Sequence, residues 1–413
     1  MELTLSPRPI GGKIAAIASK SAAHRLMICA ALSDRATKIS CAETSKDVEA
    51  TARVLTALGA DFTYGNGAYT VYPLQLPRGD QVLDCGESGS TLRFLLPVVG
   101  ALGVSATFRL HGRLAERPLS PLWEAMQAHG CCLSRPSADT VLCEGRLRGG
   151  IWEIAGNVSS QFISGLLFAL PLTGEASEIV LSTPLESAGY ADLTVQALRQ
   201  FGVEAERTET GWRIPKGQGF RSCGRAAVEG DWSNAAFWLC AGAISAPVTV
   251  EGLSLTSAQG DRAILSVLER FGANVETGSG SVTVTPGELH AIELDARHIP
   301  DLVPPIALVA ACAQGTTRIF GAERLRLKES DRLQSVADAL TALGADVTIT
   351  ADGLLIRGGR LCGGRADICN DHRIAMMAAI AACACTQTVT LRGAEAVNKS
   401  YPRFWEDYRI LTR

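Results

Sequence analysis

One pattern recurs along this chain at nearly constant intervals and constrains the fold more than any other feature. In each copy, apolar residues spaced as on one face of a helix end at a glycine, and two alternating segments joined by a turn follow. Five glycines end such helical patterns, about 71 residues apart: Gly59, Gly130, Gly202, Gly272 and Gly344. Glycine in this position is typical of a left-handed helix cap. The regular spacing predicts one α/β unit repeated along the chain.

The length of the chain suggests how many copies it holds. A chain of 413 residues accommodates nearly six such repeats, and the sixth is expected to end with the helical segment 403–411. Three repeats make a domain of ordinary size, about 200 residues. The pattern therefore predicts two α/β domains with a boundary near residues 219–225. Because ligands favour clefts between domains, we expect the chemistry to take place there.

Composition excludes several classes of protein. The chain is 47% hydrophobic and 20% charged with a net charge of −3, unlike a disordered chain or a basic nucleic-acid-binding protein. Its longest uncharged apolar stretch, 374–385, is too short to span a bilayer, and residues 1–17 lack the pattern of a secretory leader. We therefore expect a cytoplasmic protein that binds neither membranes nor nucleic acid. Most of the thirteen cysteines are expected to be buried thiols, and the spacing of Cys and His predicts no metal site.

Three motifs precede apolar helical runs in the first half of the chain. They are Ser19-Lys20-Ser21 with Arg25, the Gly-rich segment around Gly89, and the polar segment Asn157–Gln161. The N–H groups at a helix start favour phosphate or carboxylate, especially beside cations. Serine side chains also cap helices without binding a ligand, so both interpretations stand. Ser182 ends a predicted strand and either adds a hydroxyl group to a site or lies in a turn.

Charged groups precede helical runs in the second half as well. Lys328, Glu329 and Arg332 form a compact group in which Ser330 is the expected helix cap. The group is suited to binding a phosphate and moving a proton, or else it is a solvated charge run with weak helical ion pairs. Asp301 and the segment Asn370–Arg373 precede two strongly apolar helices. A cap is the common role of such a carboxylate, but two of them in one half favour a site.

Nine short strings, taken in order, resemble the 5-enolpyruvylshikimate-3-phosphate synthase family over residues 10–405. Besides the motifs above they include Glu116-Arg117-Pro118, Glu229-Gly230-Asp231 and Asn398–Pro402. The resemblance implies an α/β enolpyruvyl transferase fold with six βαβαββ repeats, three per domain, and an active site in the interdomain cleft. The domains would comprise residues 19–228, and residues 1–18 together with 229–413.

The resemblance also implies the reaction. The enolpyruvyl group of phosphoenolpyruvate would be transferred to the 5-hydroxyl of shikimate 3-phosphate by addition and elimination, with release of phosphate, in the shikimate pathway to chorismate and the aromatic amino acids. No cofactor is expected, and the enzyme is expected to be a monomer.

The family's binding residues carry over to matching positions of this chain. Shikimate 3-phosphate would be bound by Lys20, Ser21, Arg25, Ser159, Ser160, Gln161, Ser182, Asp301 and Lys328. Phosphoenolpyruvate would be bound by Lys20, Gly89, Arg117, Gln161, Arg332, Arg373 and Lys399. Seven of these residues are cations, which suits two phosphorylated substrates. Because the cations repel one another, we expect the domains to stand apart until the substrates bind and then to close.

Proton transfer in this reaction needs a base at the attacking hydroxyl group and an acid at the methylene carbon. Asp301 is predicted to be the base. Glu329 and Lys20 are the candidates for the acid.

Three positions depart from the family pattern: Glu87 and Arg324 stand where asparagine is common, and Ser90 stands where threonine is usual. One rival function is that of UDP-N-acetylglucosamine enolpyruvyl transferase, which usually has Lys-Asn near the start and a cysteine before its Arg-Pro. This chain has Lys20-Ser21, and its segment 111–118 contains no cysteine. Other rivals are a silent anion-binding homologue, against which the seven cations argue, and the RNA 3′-phosphate cyclase group, against which the acidic pI of 6.1 argues.

Overall fold

The computed structural model describes residues 1–75 and 79–413. The chain divides into two compact units: unit 1 comprises Met1–Ile17 and Glu229–Arg413, and unit 2 comprises Ala18–Val228. The second crossing between the units follows Val228 rather than the predicted segment 219–225. The reason is that a strand at Arg225–Ala227 pairs in parallel with Thr37–Ser40 and so still belongs to unit 2.

Short strands and short helices alternate along the described residues. The strands are β1 (Glu2–Leu5), β2 (Gly12–Ala15), β3 (Thr37–Ser40), β4 (Asp61–Gly65), β5 (Ala68–Tyr72), β6 (Gln81–Asp84), β7 (Ala106–Arg109), β8 (Cys131–Ser134), β9 (Thr140–Gly145), β10 (Gly150–Ile154), β11 (Ser177–Leu181), β12 (Glu206–Arg207), β13 (Gly211–Ile214), β14 (Arg225–Ala227), β15 (Val248–Glu251), β16 (Asn274–Thr277), β17 (Ser281–Thr285), β18 (Glu293–Asp295), β19 (Thr316–Phe320), β20 (Asp346–Ile349), β21 (Leu354–Arg357), β22 (Gly364–Asp367) and β23 (Val389–Arg392). The helices are α1 (Lys20–Ala31), α2 (Lys46–Ala57), α3 (Gly89–Leu102), α4 (Leu122–Ala128), α5 (Ser160–Ala169), α6 (Ala188–Gln200), α7 (Trp232–Ile244), α8 (Ile264–Phe271), α9 (Val303–Cys312), α10 (Arg332–Ala342), α11 (His372–Ala381) and α12 (Phe404–Leu411).

The predicted repeat is confirmed as the building block of both units. In the repeat β6-α3-β7-α4-β8-β9, the first strand lies parallel to the second, and the terminal hairpin pairs antiparallel with the second strand. The sheet order is therefore β6-β7-β9-β8. Four other sheets have the same order: β14-β3-β5-β4, β10-β11-β13-β12, β2-β15-β17-β16 and β18-β19-β21-β20.

In two of these repeats the first strand and the first helix come from distant parts of the chain, because the chain passes to the other unit after that strand. The first repeat of unit 2 takes its parallel strand from β14, and the first repeat of unit 1 takes it from β2. The sixth sheet has three strands within the described residues, in the order β1-β23-β22. The expectation that the sixth copy ends with segment 403–411 was therefore wrong, because β1 pairs antiparallel with β23 and completes that sheet.

The five glycines that marked the repeat adopt the conformation predicted for them. Their φ angles lie between 74° and 102°, in the left-handed region that favours glycine. Gly59 is also constrained by a close approach, because a Cβ atom there would lie 2.0 Å from the Gln75 carbonyl oxygen. The helix-stop signal in the sequence therefore has a direct backbone cause.

Each unit has its own hydrophobic core around the first helices of its repeats. In unit 1 these are α7, α9 and α11, and in unit 2 they are α1, α3 and α5. These helices are apolar almost all round, so they are buried along nearly their whole length. Among residues 1–75 and 79–413, none of the helices is long and apolar enough to cross a membrane.

All thirteen cysteines are free thiols, as predicted. Seven are buried and two are partly buried, so most are shielded from solvent. Burial raises the pKa of thiols such as Cys312 to about 12, which leaves them protonated at neutral pH.

Candidate functional site

Five of the predicted motifs occupy equivalent places in the fold, whereas the Lys328–Arg332 motif lies at the start of α10, the second helix of its repeat. In five repeats a motif lies where the first helix begins: at α1, α3 and α5 in unit 2, and at α9 and α11 in unit 1. The remaining first helix, α7, follows the Glu229-Gly230-Asp231 string, and Asp231 caps it. The repeat therefore places backbone N–H groups and charged side chains together at the N-terminal end of each core helix.

The start of α1 contains both a cap and a cation. Ser19 caps the helix by accepting a hydrogen bond from the Ala22 N–H, so capping accounts for the first serine of the Ser-Lys-Ser string but not for Ser21. Lys20 Nζ lies 2.8 Å from Asp47 Oδ2, and both side chains are largely shielded from solvent. The ion pair with Asp47 holds the Lys20 ammonium group close to the helix start.

Arg25 is a buried cation whose hydrogen-bond partners, among the described residues, are all neutral. Its Nε donates to Thr194 Oγ1 (2.8 Å) and its Nη1 to the Ser21 carbonyl (2.7 Å). Its Nη2 donates to Ser164 Oγ and to the Tyr190 carbonyl, and no carboxylate contacts it within the described residues. Burial lowers the pKa of Arg25 to about 10, which still leaves it charged at neutral pH. A buried charge with only neutral partners favours an anionic ligand at the remaining Nη1 N–H.

The Gly-rich segment brings two arginines to the start of α3. Ser88 caps this helix, accepting from the Thr91 N–H, so the capping interpretation is correct for that serine. A Cβ atom on Gly89 would lie 2.6 Å from Arg117 Nη1 and 3.0 Å from Arg93 Nη1. Glycine at this position therefore leaves room for both guanidinium groups beside the helix start.

Arg93 is a site residue that the sequence reasoning missed. It is 97% buried, and its Nη1 donates to Gln161 Oε1 at 2.9 Å. The Gln161 amide in turn donates to Ser90 Oγ at 3.0 Å, so Arg93 fixes which way that amide points. The signal was present in the sequence, because Arg93 is the single charged residue of the otherwise apolar helix α3.

A buried chain of hydrogen bonds ties three helix starts in unit 2 together. His24 Nδ1 lies 2.7 Å from Thr51 Oγ1, which lies 2.7 Å from Thr91 Oγ1, and Thr91 donates to Ser88 Oγ at 2.8 Å. Burial lowers the pKa of His24 well below its usual value, and Lys20 and Arg25 lower it further. The neutral ring therefore links α1, α2 and α3 without adding a charge.

The serines around α5 have different surroundings. Ser159 caps the helix by accepting from the Gln161 N–H, and Ser160 is buried in the first turn. Ser182 is exposed at the end of β11. Its neighbour Thr183 accepts hydrogen bonds from the N–H groups of Gly156 and Asn157, which holds Ser182 beside the loop before α5.

In unit 1, Asp301 lies among three cations. Its carboxylate is 2.9 Å from Arg332 Nη1, 3.1 Å from Arg373 Nη2 and 3.5 Å from Lys328 Nζ. It lies in a 3₁₀ turn, Pro300–Leu302, and makes no side-chain cap. The capping interpretation is therefore wrong for Asp301, whereas the interpretation as part of a charged cluster is correct.

Arg332 and Asp371 form the buried centre of this cluster. Arg332 Nε donates to Asp371 Oδ2 at 2.9 Å, and neither side chain is more than 1% exposed. Asp371 also caps α11 by accepting from the Arg373 N–H at 2.9 Å. Ser330, expected to cap α10, instead donates to Asp371 at 3.1 Å, and Asp331 is the cap. Asp371 thus orients the Arg332 guanidinium group and caps the helix in which Arg373 lies, a double role that no sequence pattern showed.

The cluster sets the protonation states of its members. Burial alone would raise the pKa of Asp301, but Arg373, Lys328 and Arg332 outweigh it and hold that pKa well below its usual value. Burial lowers the pKa of Lys328 to about 8, although Asp301 opposes this. For Arg332, the attraction of Asp371, Glu329 and Asp301 outweighs burial and raises the pKa. At neutral pH Asp301, Asp371 and Arg332 are therefore charged, and Lys328 is mostly charged.

Lys399 joins the same region from a 3₁₀ turn, Ala394–Lys399. Its Nζ donates to the Asn370 carbonyl at 2.7 Å, and the residue is almost completely buried. Two residues later Tyr401 is anchored in the core, donating to Asp407 at 2.6 Å and accepting from Trp238 Nε1 at 3.0 Å. This anchor holds the Lys399 segment against the start of α11.

Two residues that depart from the family pattern, Glu87 and Arg324, have specific contacts in the structure. A Cβ atom on Gly112 would lie 3.0 Å from the Glu87 carboxylate, so Glu87 packs against that turn. Arg324 Nη2 donates to the Arg297 carbonyl at 2.9 Å, and its charge acts on Lys328. Arg324 therefore adds positive charge next to the Asp301 cluster.

Unit 2 thus offers cations and helix N–H groups, and unit 1 offers cations together with carboxylates. The first set is suited to binding phosphate, and the second is suited to binding an anion and moving a proton. Within the described residues, no group of three or more His, Cys, Asp or Glu side chains is arranged to hold a metal ion.

Comparisons with known proteins agree with this chemistry. A sequence model of the family described as EPSP synthase (3-phosphoshikimate 1-carboxyvinyltransferase) matches residues 5–408. A 3-phosphoshikimate 1-carboxyvinyltransferase of Clostridium acetobutylicum is 40% identical, covering 98% of this chain and 96% of the relative, and one of Clostridium novyi is 38% identical with the same coverage. An EPSP synthase structure from Acinetobacter baumannii superposes with a TM-score of 0.83 at 25% identity, covering 100% of this chain and 98% of that one. An enolpyruvyl transferase of Streptomyces tendae shares the fold, with a TM-score of 0.80 at 20% identity over 99% of this chain and 97% of its own.

Proposed function

Because the chain belongs to the EPSP synthase (3-phosphoshikimate 1-carboxyvinyltransferase) family, we propose that it transfers the enolpyruvyl group of phosphoenolpyruvate to the 5-hydroxyl of shikimate 3-phosphate. Phosphate is the second product, and the reaction belongs to the shikimate pathway. The observation that carries the proposal is the buried Asp301 carboxylate held by three cations in a chain that matches the family over residues 5–408.

Shikimate 3-phosphate is assigned mainly to unit 2. Arg25 supports this assignment because its buried charge has only neutral partners in the part of the chain that the structure describes, and a bound phosphate would complement that charge. The other residues proposed to bind this substrate are Lys20, Ser21, Ser159, Ser160, Gln161, Ser182, Asp301 and Lys328. The last two belong to unit 1.

Phosphoenolpyruvate is assigned to cations of both units. Gly89 lets the Arg117 guanidinium group lie against the start of α3, where both suit a phosphate oxygen, while Arg332 and Arg373 suit a carboxylate. The full proposed set is Lys20, Gly89, Arg117, Gln161, Arg332, Arg373 and Lys399. Arg93 is added as a positioning residue, because it orients the Gln161 amide.

The reaction requires proton transfers in both of its halves. In the addition, C3 of phosphoenolpyruvate gains a proton, the hydroxyl oxygen attacks C2, and the hydroxyl proton goes to a base. In the elimination, the new methyl group loses a proton and the bond to phosphate breaks. We assign the base to Asp301, with Glu329 and Lys20 as the candidates for the acid.

The charges around Asp301 explain when it becomes a useful base. Three cations now hold its pKa well below the usual value, so it accepts a proton poorly. A bound phosphate and carboxylate would compete for Lys328, Arg332 and Arg373 and weaken their hold on Asp301. Substrate binding thereby raises its basicity at the moment when the hydroxyl group must be deprotonated.

Phosphate release tests the proposed reaction. Purified protein is incubated with phosphoenolpyruvate and either shikimate 3-phosphate or UDP-N-acetylglucosamine as acceptor. We expect phosphate release with shikimate 3-phosphate alone. Release with the nucleotide sugar alone would reassign the acceptor, and no release with either from folded protein would favour a silent anion-binding homologue.

We place the enzyme in the cytoplasm as a monomer that needs no cofactor. Both proposed substrates are phosphorylated metabolites, and each proposed binding residue comes from the one chain. The same preparation should sediment with the mass of a single chain, 43.6 kDa. Twice that mass would contradict the monomer.

The lowered pKa of Lys328 predicts how affinity for shikimate 3-phosphate depends on pH. This side chain loses its charge above about pH 8 in the free protein, whereas a bound phosphate favours the charged form. The dissociation constant should therefore rise above that pH, by up to about tenfold per pH unit. Calorimetric titration across this range measures it, and Lys328→Arg, which stays charged, should flatten the profile. A variant profile as steep as that of the unaltered protein would show that another group titrates.

A further inference from the structure

A buried chain of hydrogen bonds in unit 2 ends at the serine that caps α3. Its members are, in order, His24, Thr51, Thr91 and Ser88, and none of them is more than 1% exposed. The contacts between neighbours measure 2.7, 2.7 and 2.8 Å. Because water is excluded from these groups, their hydrogen-bonding partners must be other protein groups or a ligand.

The direction of the chain follows from the number of hydrogens that each group carries. A hydroxyl group has one hydrogen to donate and two lone pairs with which to accept. Thr91 donates its hydrogen to Ser88 Oγ. Thr91 therefore accepts from Thr51, and Thr51, whose hydrogen is now used, accepts from Nδ1 of His24. All three hydrogen bonds then point the same way, toward Ser88.

His24 can begin this chain because its ring is neutral. Burial lowers the pKa of His24 well below its usual value, and the charges of Lys20 and Arg25 lower it further. A neutral imidazole ring carries one N–H group, which the direction of the chain places on Nδ1. Nε2 then has a lone pair and no hydrogen, and no hydrogen-bond partner contacts it within residues 1–75 and 79–413.

At the other end of the chain, the hydroxyl hydrogen of Ser88 is not used. Ser88 Oγ accepts from the Thr91 hydroxyl group at 2.8 Å and from the Thr91 N–H at 3.3 Å. Both of its lone pairs are thus occupied, and its own hydrogen points away from Thr91. Among the described residues, no acceptor for that hydrogen is found. A buried hydroxyl group therefore has an unused donor at the start of α3.

Other donors lie at the same helix start. Gly89 and Ser90 begin α3, and the N–H groups of a first helical turn have no partner within the helix. A Cβ atom on Gly89 would lie 2.6 Å from Arg117 Nη1, so this guanidinium group lies beside them. Helix N–H groups next to a cation favour an anion with several acceptor oxygens, such as phosphate. The unused hydrogen of Ser88 suits the same ligand.

We propose that the Ser88 hydroxyl group donates a hydrogen bond to the phosphate of phosphoenolpyruvate, and that Thr51 is a positioning residue that keeps this hydrogen available. The inference rests on the proposed function, because phosphoenolpyruvate is the anion assigned to Gly89. Thr51 acts through Thr91, since a Thr91 that accepts from Thr51 has its own hydrogen to give to Ser88. Ser88 thus binds substrate in addition to capping α3.

The tautomer of His24 reports the direction of the chain. If the chain ran the other way, Ser88 would donate its hydrogen to Thr91 and have none left for a ligand. At the far end, Thr51 would donate to His24 Nδ1, and the ring hydrogen would be on Nε2. NMR of the ring nitrogens distinguishes the two tautomers, and His24→Gln identifies this ring among the six histidines. We expect the hydrogen on Nδ1, and a hydrogen on Nε2 would overturn the proposal.

Steady-state kinetics at saturating shikimate 3-phosphate tests the contact between Ser88 and the substrate. Ser88→Gly removes the hydroxyl group, and the variant should still fold because glycine is tolerated at helix caps. KM for phosphoenolpyruvate should rise about tenfold or more, as expected for the loss of a hydrogen bond to a charged group, while kcat changes less. Ser88→Thr retains a hydroxyl group and should largely restore KM.

Further variants test the positioning role of Thr51. Thr51→Val has nearly the same shape but no hydroxyl group, and it should raise KM for phosphoenolpyruvate several-fold without weakening shikimate 3-phosphate binding. Thr51→Ser should restore KM. The matched control is Thr37→Val, because Thr37 is equally buried in unit 2 and its hydroxyl group contacts Ser222 at 2.6 Å. An equal rise of KM in Thr37→Val would show a general loss of stability rather than positioning.

The outcomes distinguish this inference from the proposed function. Normal phosphate release together with an unchanged KM in Ser88→Gly would make Ser88 a helix cap only, which overturns the inference and leaves the function standing. A raised KM in Ser88→Gly but not in Thr51→Val would keep the donor and overturn the role of Thr51. Absence of phosphate release from the unaltered protein would overturn the function, and the inference with it.

Discussion

Replacing Asp301 with asparagine is expected to lower kcat by about 10²- to 10⁴-fold, which is the range that one positioned acid or base contributes. The dissociation constant of shikimate 3-phosphate should change only a few-fold, because most of its proposed contacts come from unit 2. Asparagine retains the size of the side chain and one acceptor oxygen, so Arg332 and Arg373 keep a partner. Steady-state kinetics and calorimetric titration with shikimate 3-phosphate measure the two effects separately.

The control for Asp301 is Asp346→Asn, an exposed aspartate at the start of β20. It makes the same chemical change outside the cluster and should leave both constants as they are. If Asp301→Asn weakens shikimate 3-phosphate binding as much as it slows turnover, Asp301 is a binding group rather than the base.

Replacing Asp371 with asparagine is expected to have the largest effect on stability and to impair phosphoenolpyruvate binding as well. Breaking a buried ion pair costs about 3 to 5 kcal/mol, and we expect the lower end because Asp301 and Glu329 still face Arg332. The cap of α11 survives, since asparagine caps as well as aspartate. With Arg332 no longer oriented, KM for phosphoenolpyruvate should rise by more than tenfold, the factor that corresponds to about 1.4 kcal/mol.

Urea unfolding and steady-state kinetics measure the two consequences for Asp371→Asn. The matched control is Asp331→Asn, since Asp331 also caps a helix but pairs with the half-exposed Arg326. Such a pair is worth about 0 to 1 kcal/mol, so this control should unfold almost like the unaltered protein. Equal stability of the two variants would mean that Asp371 contributes no more than a surface cap.

The pKa of Asp371 gives a further check on its contribution to stability. Burial would raise that pKa, but Arg332 outweighs it, so the pKa is lowered on folding. A lowered carboxyl pKa stabilises the fold at neutral pH, and the contribution is lost as pH falls through the acidic range. The difference in unfolding free energy between Asp371→Asn and the unaltered protein should therefore shrink in acid.

The helix caps show which contacts a local sequence pattern can predict. Ser19, Ser88 and Ser159 cap their helices as the local pattern suggests, because a cap depends on residues only two or three positions apart. Ser330 and Asp301 failed the same interpretation. Both are drawn into contacts with residues far along the chain, Asp371 and Arg373, which a local pattern does not encode.

The sequence also predicted the repeat correctly, except in the sixth sheet, where the two ends of the chain pair with each other. Hairpins such as β20 and β21 lie where two alternating segments joined by a turn were predicted after Gly344. The sixth sheet was misjudged because β1, at the other end of the chain, supplies its outer strand. Pairing between distant segments leaves no periodic trace in sequence, since each segment alone is compatible with several partners.

The sequence by itself determined the α/β repeat, the ends of the helices and the kinds of side chain placed at each helix start. These follow from periodicity, from glycine at left-handed positions and from capping, all of which act over a few residues. Only the tertiary structure decided which charges meet. Arg332 and Arg373 reach Asp301 from 31 and 72 residues away, and Arg93 reaches Gln161 from 68 residues away. The pKa values of the cluster arise from those distances and from burial, which exist only once the helices have packed.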